Sequence, residues 1–151
     1  ELRASAEMLE MAGEPSALAG VATVLAEVLY RQARFEEAEA WFERAKRAMQ
    51  PEDVLGQADL RALQAKLVAR NGRADEALRL SAEAVDLARR TDGLPFLGDY
   101  LLSRAEVLRL LGLDEAARPV LEEALAVYKR KGVVPSVERT RSLLVELAVV
   151  R

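Results

Sequence analysis

Small and aliphatic residues recur along the chain at intervals that suit packed α-helices. Between residues 72 and 89 they are separated by five, four and three positions, at Gly72, Ala77, Ser81 and Ala84. The same spacing occurs twice more, at Ala33, Ala38, Phe42 and Ala45 and at Gly112, Ala117, Leu121 and Ala124. The three copies begin 39 and 40 residues apart, and a period in this range is typical of stacked helical repeats.

The residues before each copy continue the helical pattern. A small residue lies seven positions upstream, at Ala26, Ala65 and Ala105, and an aliphatic residue lies four positions upstream, at Leu29, Val68 and Leu108. These offsets predict an amphipathic first helix that a second helix can approach closely. The second helix is predicted to start with acidic residues and end with basic ones, which suits the helix dipole. Each repeat is therefore predicted to be a helix pair joined by a tight turn.

Proline and glycine set the predicted helix boundaries. The helices are expected near 1–12, 15–32, 35–49, 53–71, 74–91, 95–111, 114–131 and 135–150. Proline is tolerated in the first helical turn, where Pro15, Pro95 and Pro135 are expected. Glycine suits helix ends, where Gly13, Gly93 and Gly132 are expected. Pro119 is expected inside the seventh helix, where it removes one hydrogen bond and bends the helix.

These residues resemble the tetratricopeptide repeat, whose signature is a small residue in helix A, a glycine turn, and alanine, an aromatic or aliphatic residue, and alanine in helix B. The resemblance covers about three repeats and both flanks, although the period exceeds the usual one of about 34 residues. It implies an all-α fold, a right-handed α-α superhelix (a tetratricopeptide-like solenoid) of about seven to eight antiparallel helices. The long period is similar to that of divergent repeats attached to large bacterial regulatory proteins.

Residues 1–151 are predicted to form one helical repeat domain. It divides into a half repeat at 1–13, repeats at 15–50, 53–92 and 95–132, and a terminal helix at 135–151. Ala6 lies 39 residues before Ala45, so the first helix matches the second half of an earlier repeat. Because the first residue is Glu1 and both ends carry half repeats, we expect the chain to be a fragment of a larger protein.

Composition narrows the function. The formal net charge is −3, whereas general nucleic-acid binders usually carry a basic excess. The chain has no cysteine and no histidine, and without them it lacks thiolate chemistry, the usual general base and the commonest metal ligand. We therefore expect no catalytic residues, no metal site and no cofactor. No apolar run approaches the roughly 20 residues of a membrane span, and the absence of cysteine favours a cytoplasmic location.

The resemblance implies where a partner would bind. In tetratricopeptide proteins, the face of each first helix that points away from its partner helix lines a concave groove. The candidate partner-binding residues on that face are Glu27, Tyr30, Arg31, Lys66, Arg70, Asp99, Leu102, Glu106 and Arg109. Lys66 and Arg70 are four positions apart, so they share one helical face and are predicted to be an exposed basic pair. A partner with an acidic stretch flanked by apolar residues would suit that pair.

The sequence leaves two hypotheses for what the groove binds. The leading hypothesis is a non-catalytic interaction or regulatory scaffold module of a larger bacterial signalling or transcription-regulatory protein. It would bind a protein or peptide, neither nucleic acid nor membrane, and self-association stays open. The second hypothesis is a sensor domain that binds a small effector in the groove, although aromatic-poor walls are expected to disfavour it.

Trp41, the one tryptophan of the chain, is either an exposed anchor for a partner or part of the core. General burial preferences favour the core.

Arginine outnumbers lysine 18 to 4, and alanine is abundant. This composition indicates a GC-rich genome and is the basis of the bacterial assignment. Helix A also lacks the lysine, asparagine and arginine set of the family's chaperone-type carboxylate clamp, since Thr23, Glu27, Leu63 and Asp99 stand at the corresponding positions. A clamp for the C-terminus of an acidic peptide is therefore not expected.

Overall fold

The computed structural model describes residues 1–90 and 96–149, and these two ranges contain eight α-helices and no β-strand. In chain order the helices are α1 (Leu2–Ala12), α2 (Pro15–Arg31), α3 (Phe35–Ala48), α4 (Val54–Arg70), α5 (Ala74–Arg90), α6 (Leu97–Leu110), α7 (Asp114–Lys131) and α8 (Val134–Val149). The predicted all-α class is confirmed, and the helices match the predicted ranges closely. The expected positions of Gly93 and Pro95 lie outside the described residues.

Local sequence explains where the helices begin and end. Pro15 occupies the first turn of α2, where a missing N–H costs little. The Asp53 carboxylate accepts a hydrogen bond of 2.8 Å from the Gly56 backbone N–H and caps α4. Gly13 and Gly132 adopt the left-handed conformation at the ends of α1 and α7, as predicted. Pro119 lies inside α7 as expected, and the helix continues past it to Lys131.

The turns between paired helices have one shared geometry. Gly72 and Gly112 have φ angles of 76° and 73°, and Ala33 at the equivalent position has a φ of 58°. In each turn the N–H of the next residue bonds a carbonyl five positions earlier, as from Arg34 to Leu29 at 2.9 Å. The turn residue itself bonds the carbonyl three positions earlier. This pair of bonds is the Schellman motif. The turns at Ala33, Gly72 and Gly112 all contain it, so the repeat that the sequence predicted is also a structural repeat.

The helix pairs stack into a solenoid. We call α2, α4 and α6 the A helices and α3, α5 and α7 the B helices. Each A helix packs on the B helix that follows it, each B helix packs on the next A helix, and α4 contacts both α2 and α6. The small residues predicted to allow close approach are almost completely buried, at Ala26, Ala65, Ala105, Ala38, Ala77 and Ala117. The A helices therefore form a continuous layer whose free face can hold a groove.

The terminal helices extend the same arrangement. α1 packs on α2 as each B helix packs on the next A helix, and its Ala6 is fully buried. α8 packs on α7 as an A helix packs on the preceding B helix. Trp41 is only 8% exposed and belongs to the core between the first two repeats, with the Arg44 guanidinium over its ring at 4.5 Å. The core assignment of Trp41 is confirmed.

Candidate binding groove

One groove of about 1040 Å³ runs across the A helices and reaches α8. Its lining includes all nine candidate residues predicted from sequence: Glu27, Tyr30, Arg31, Lys66, Arg70, Asp99, Leu102, Glu106 and Arg109. The structure thus brings together residues from three repeats that are up to 82 positions apart (27 to 109). They share one surface because equivalent faces of stacked helices point to the same side.

Lys66 forms the floor of the groove and is not an open cation. Its Nζ lies 2.7 Å from both carboxylate oxygens of Glu27 and 4.7 Å from the centre of the Tyr30 ring. Only 3% of the residue is exposed. The expectation that Lys66 and Arg70 form an exposed basic pair is therefore wrong for Lys66. The physical reason is that α4 lies between α2 and α6, whose side chains cover the centre of its inward face.

Glu27 stays ionised in this setting. Burial raises the pKa of Glu27, but the positive charges of Lys66 and Arg31, and the hydrogen bonds that they donate, lower it further than burial raises it. Arg31 Nε donates to Glu27 at 3.0 Å from the next helical turn. The three residues form one compact ion cluster in which the negative charge is shared between two cations.

Tyr30 connects the first and third A helices. Its hydroxyl donates a hydrogen bond of 2.9 Å to Glu106 Oε1, while its ring packs edge-to-face against Phe35 with ring centres 5.6 Å apart. Burial and the facing Glu106 carboxylate raise the pKa of the Tyr30 hydroxyl, so it remains a protonated donor. Tyr30 therefore covers Lys66 from one side and links α2 to α6 across α4.

Two more tyrosines donate to carboxylates at the other end of the groove. The Tyr100 hydroxyl donates to Asp59 Oδ1 at 2.8 Å, and the Tyr128 hydroxyl donates to Asp99. Burial raises the pKa of Asp59, and the Tyr100 hydrogen bond only partly offsets it. Burial and the facing carboxylates also raise the pKa values of both tyrosines. These acids are therefore engaged in holding helices together.

Several lining residues were not expected from the sequence. Phe35 enters the groove from the first turn of α3, although only A helices were expected to contribute. Tyr100 and Arg139 also line the groove, from α6 and α8. Because Tyr30, Phe35 and Tyr100 all contribute, the expectation of aromatic-poor walls is wrong. No signal in the sequence would place Phe35 in the groove, since it also packs, partly buried, against the core.

The remaining arginines differ in how they are held. Arg109 pairs with Glu146 of α8 at 3.2 Å, and Arg31 is bound to Glu27. Arg70 is exposed, and its guanidinium lies over the Phe35 ring at 3.6 Å. No carboxylate within residues 1–90 and 96–149 forms an ion pair with Arg70. The groove thus presents mostly satisfied charges, together with the exposed Arg70 and Arg139, which pair with no carboxylate of the described residues.

The chemistry of the groove suits non-covalent recognition. Glu27, Asp59, Asp99 and Glu106 each accept a hydrogen bond from a neighbouring lysine, arginine or tyrosine of the chain. Val24 and Leu110 add exposed apolar surface, with 52% and 38% of each residue accessible. In the described ranges no cluster of acidic residues has the arrangement of a metal site. None of the helices there is both long enough and apolar enough to cross a membrane.

Comparison with known families agrees with the helix pairs. Residues 57–130, which span most of α4 to α7, match a family model described as tetratricopeptide repeat. Residues 18–49, which span most of α2 and α3, match a second model with the same description. Searches of curated proteins and of solved structures found no significant match. With every A-B pair covered by these models, the chain belongs to the tetratricopeptide repeat family.

Proposed function

We propose that the groove binds a protein partner and that the chain is a non-catalytic interaction module of a larger bacterial signalling or regulatory protein in the cytoplasm. Tetratricopeptide repeats generally mediate protein contacts, and concave solenoid surfaces are commonly used for binding. The observation that carries the proposal is the groove itself, which extends over three repeats and combines apolar side chains with fixed charges. The bacterial and cytoplasmic parts rest on the arginine-rich, cysteine-free composition.

The arrangement of the charges supports a protein partner. Lys66 and Arg31 are both bound to Glu27, so a partner meets a preorganised surface and loses little free energy in ordering it. The exposed apolar groups lie at separate points of the groove, at Val24 on α2 and Leu110 on α6. A polypeptide segment can contact both, and spaced contacts of this kind are typical of peptide recognition in grooves.

A small effector is the second candidate. Three aromatic residues, Tyr30, Phe35 and Tyr100, line the groove, and aromatic walls with a few polar groups are typical of small-molecule sites. The volume of about 1040 Å³ slightly exceeds that of most small-molecule pockets, which is about 300–1,000 Å³. A small molecule would therefore fill only part of the groove or require a narrower conformation.

Affinity purification of the full-length parent protein distinguishes the two candidates. The test variant carries Val24→Arg with Leu110→Arg, which places two large charged side chains in the groove at exposed positions. The matched control carries Ala40→Arg with Ala116→Arg, at exposed B-helix positions that do not line the groove. We expect mass spectrometry to show a protein that is lost with the groove variant and kept with the control.

Native mass spectrometry of the same samples tests the second candidate. A small molecule that leaves with the groove variant, without any groove-dependent protein, would favour the effector. Equal recovery of every protein by both variants, with no bound small molecule, would contradict the proposed role of the groove.

A further inference from the structure

Arg70 and Arg139 are exposed cations of the groove that form no ion pair with the described residues, and Arg70 is the one that stacks on an aromatic ring. Lys66 is buried against Glu27, and Arg31 and Arg109 are bound to Glu27 and Glu146. Arg70 is exposed and forms no ion pair with the described residues. An incoming anion can therefore bind Arg70 without displacing a carboxylate of the chain.

Phe35 fixes the position of the Arg70 guanidinium. The guanidinium carbon lies 3.6 Å from the centre of the Phe35 ring, within the range of a cation-π contact. The ring is itself held by its edge-to-face contact with Tyr30 and packs, partly buried, against the core between the first two repeats. Stacking uses the flat face of a guanidinium and leaves its N–H groups in the plane. Part of that edge is directed at the Tyr30 hydroxyl, to which Arg70 donates a hydrogen bond, and the remaining N–H groups can bind a carboxylate.

The surroundings favour a singly charged acid beside an apolar group. Asp114 and Glu106 line the same groove, so a dianion such as a phosphate monoester meets about twice the repulsion that a carboxylate meets. Leu110 lies at the C-terminal end of α6, as Arg70 lies at the C-terminal end of α4, and it is 38% exposed. A ligand with a carboxylate and a neighbouring aliphatic group satisfies both.

We propose that Arg70, held over Phe35, is the anchor for an aspartate or glutamate side chain in the partner polypeptide, with an adjacent aliphatic residue against Leu110. This inference rests on the proposed protein-binding function and specifies the partner's chemistry. It differs from the exposed Lys66 and Arg70 pair expected from sequence, because Lys66 serves only to hold Glu27 and Tyr30. Phe35 of α3, and not Lys66, is the residue that acts together with Arg70.

A random peptide library displayed on phage and selected on the immobilised protein tests the anchor. We expect the selected peptides to contain an acidic residue next to an aliphatic one. A synthetic peptide from this set and its amide analogue, with glutamine or asparagine for the acid, are then compared by fluorescence anisotropy. The acid should bind about tenfold more tightly than the amide, since a hydrogen-bonded pair of opposite charges is stronger than one with a neutral acceptor.

The variant Arg70→Gln should remove this preference, so that the acid and its amide bind equally. The matched control is Arg73→Gln, an exposed arginine three positions further on that does not line the groove and pairs with Glu76. It should keep the full preference. Circular dichroism should be unchanged for both variants, because both side chains are exposed.

The outcomes separate this inference from the function on which it rests. Selected peptides without acidic residues, or a preference that survives Arg70→Gln, would overturn the Arg70 anchor and leave a peptide-binding groove in place. Tighter binding of a phosphoserine peptide than of its glutamate analogue would overturn the inference that the ligand of Arg70 is a carboxylate. Failure to select any peptide would count against both the anchor and the proposed protein-binding function.

Discussion

The Tyr30 hydroxyl and the Glu106 carboxylate meet at 2.9 Å and join the first A helix to the third. The Tyr30 ring that carries this hydroxyl also lies beside the Nζ of Lys66, so one side chain links two repeats and covers the buried cation of the repeat between them. Helices in a solenoid usually contact only their neighbours. This bond couples the first repeat directly to the third, and we expect it to stabilise the curvature of the groove.

Removing the hydroxyl tests this link. Tyr30→Phe keeps the ring against Lys66 and Phe35 and should lower the free energy of unfolding by about 1–2 kcal/mol, because it deletes a hydrogen bond to a charged acceptor. Urea denaturation followed by circular dichroism measures the effect. In a Glu106→Ala background the same change should cost much less, as a double-mutant cycle requires of interacting groups. An equal cost in both backgrounds would show that the two side chains do not interact in solution.

The buried Lys66 predicts unequal effects for the two members of its ion pair. Glu27→Gln leaves Lys66 buried without a counter-charge and should cost roughly 2–4 kcal/mol, somewhat less than for a fully buried pair because Glu27 is partly exposed. Lys66→Met should cost less, since Glu27 keeps its bond to Arg31. Thermal or urea unfolding of both variants measures the difference. A larger loss for Lys66→Met than for Glu27→Gln would contradict the buried position of Lys66.

Asp59 predicts a pH dependence of the opposite sign from that of Glu27. Burial raises the pKa of Asp59, so the folded state binds more protons than the unfolded state between the raised value and the ordinary aspartate value. The contribution of Asp59 to stability therefore increases as pH falls through that window. Asp59→Asn should be at least as stable as the natural chain at pH 7, and its advantage should shrink on acidification.

Glu27→Gln provides the control for this pH series. The pKa of Glu27 is lowered, so its contribution is complete above the ordinary glutamate value and is lost as pH falls through the lowered one. Glu27→Gln should therefore be less stable than the natural chain at pH 7, and this difference in the free energy of unfolding should become smaller on acidification. Asp59→Asn, by contrast, starts at least as stable as the natural chain. Urea unfolding between pH 7 and pH 3 checks both trends. An advantage of Asp59→Asn that grows toward acid pH would contradict the raised pKa of Asp59.

The turn at Ala33 predicts a stabilising substitution. Ala33 has a φ of 58° at the position that Gly72 and Gly112 occupy in the other repeats. A left-handed residue with a side chain costs about 1–2 kcal/mol, while glycine adds entropy to the unfolded chain. Ala33→Gly should therefore raise the free energy of unfolding by about 0.5–1 kcal/mol. Gly72→Ala is the reciprocal control and should lower it, and a loss of stability in Ala33→Gly would contradict the turn geometry.

Most of the fold follows from short-range sequence signals. Pro15 and Gly132 mark a helix start and a helix end by their own backbone preferences, and they lie where the sequence predicted. The turn at Gly112 repeats at a fixed period because each helix pair must present the same small residues to its neighbours. These properties depend on residues a few positions apart, which is why the helix limits could be predicted.

The details of the groove depend on contacts between distant residues. Lys66 is buried because Glu27 and Tyr30 reach it from another repeat, and the pattern of α4 alone gives no sign of them. The face that a residue occupies could be predicted from its helical offset, but its exposure could not. Phe35 was overlooked for a related reason, since its place in the groove depends on how the A-B turn directs the start of α3.

The central claim is that the groove, and not the outer face of the B helices, contacts a protein partner. Site-specific photocrosslinking in cells that express the protein tests it most directly. Benzoylphenylalanine replaces Leu110 in the groove or, in a separate variant, Ala40 on α3. Both positions are exposed, so the probe should not disturb the core. We expect a crosslinked protein from position 110 and none from position 40. A crosslink from position 40 with none from position 110 would contradict the account.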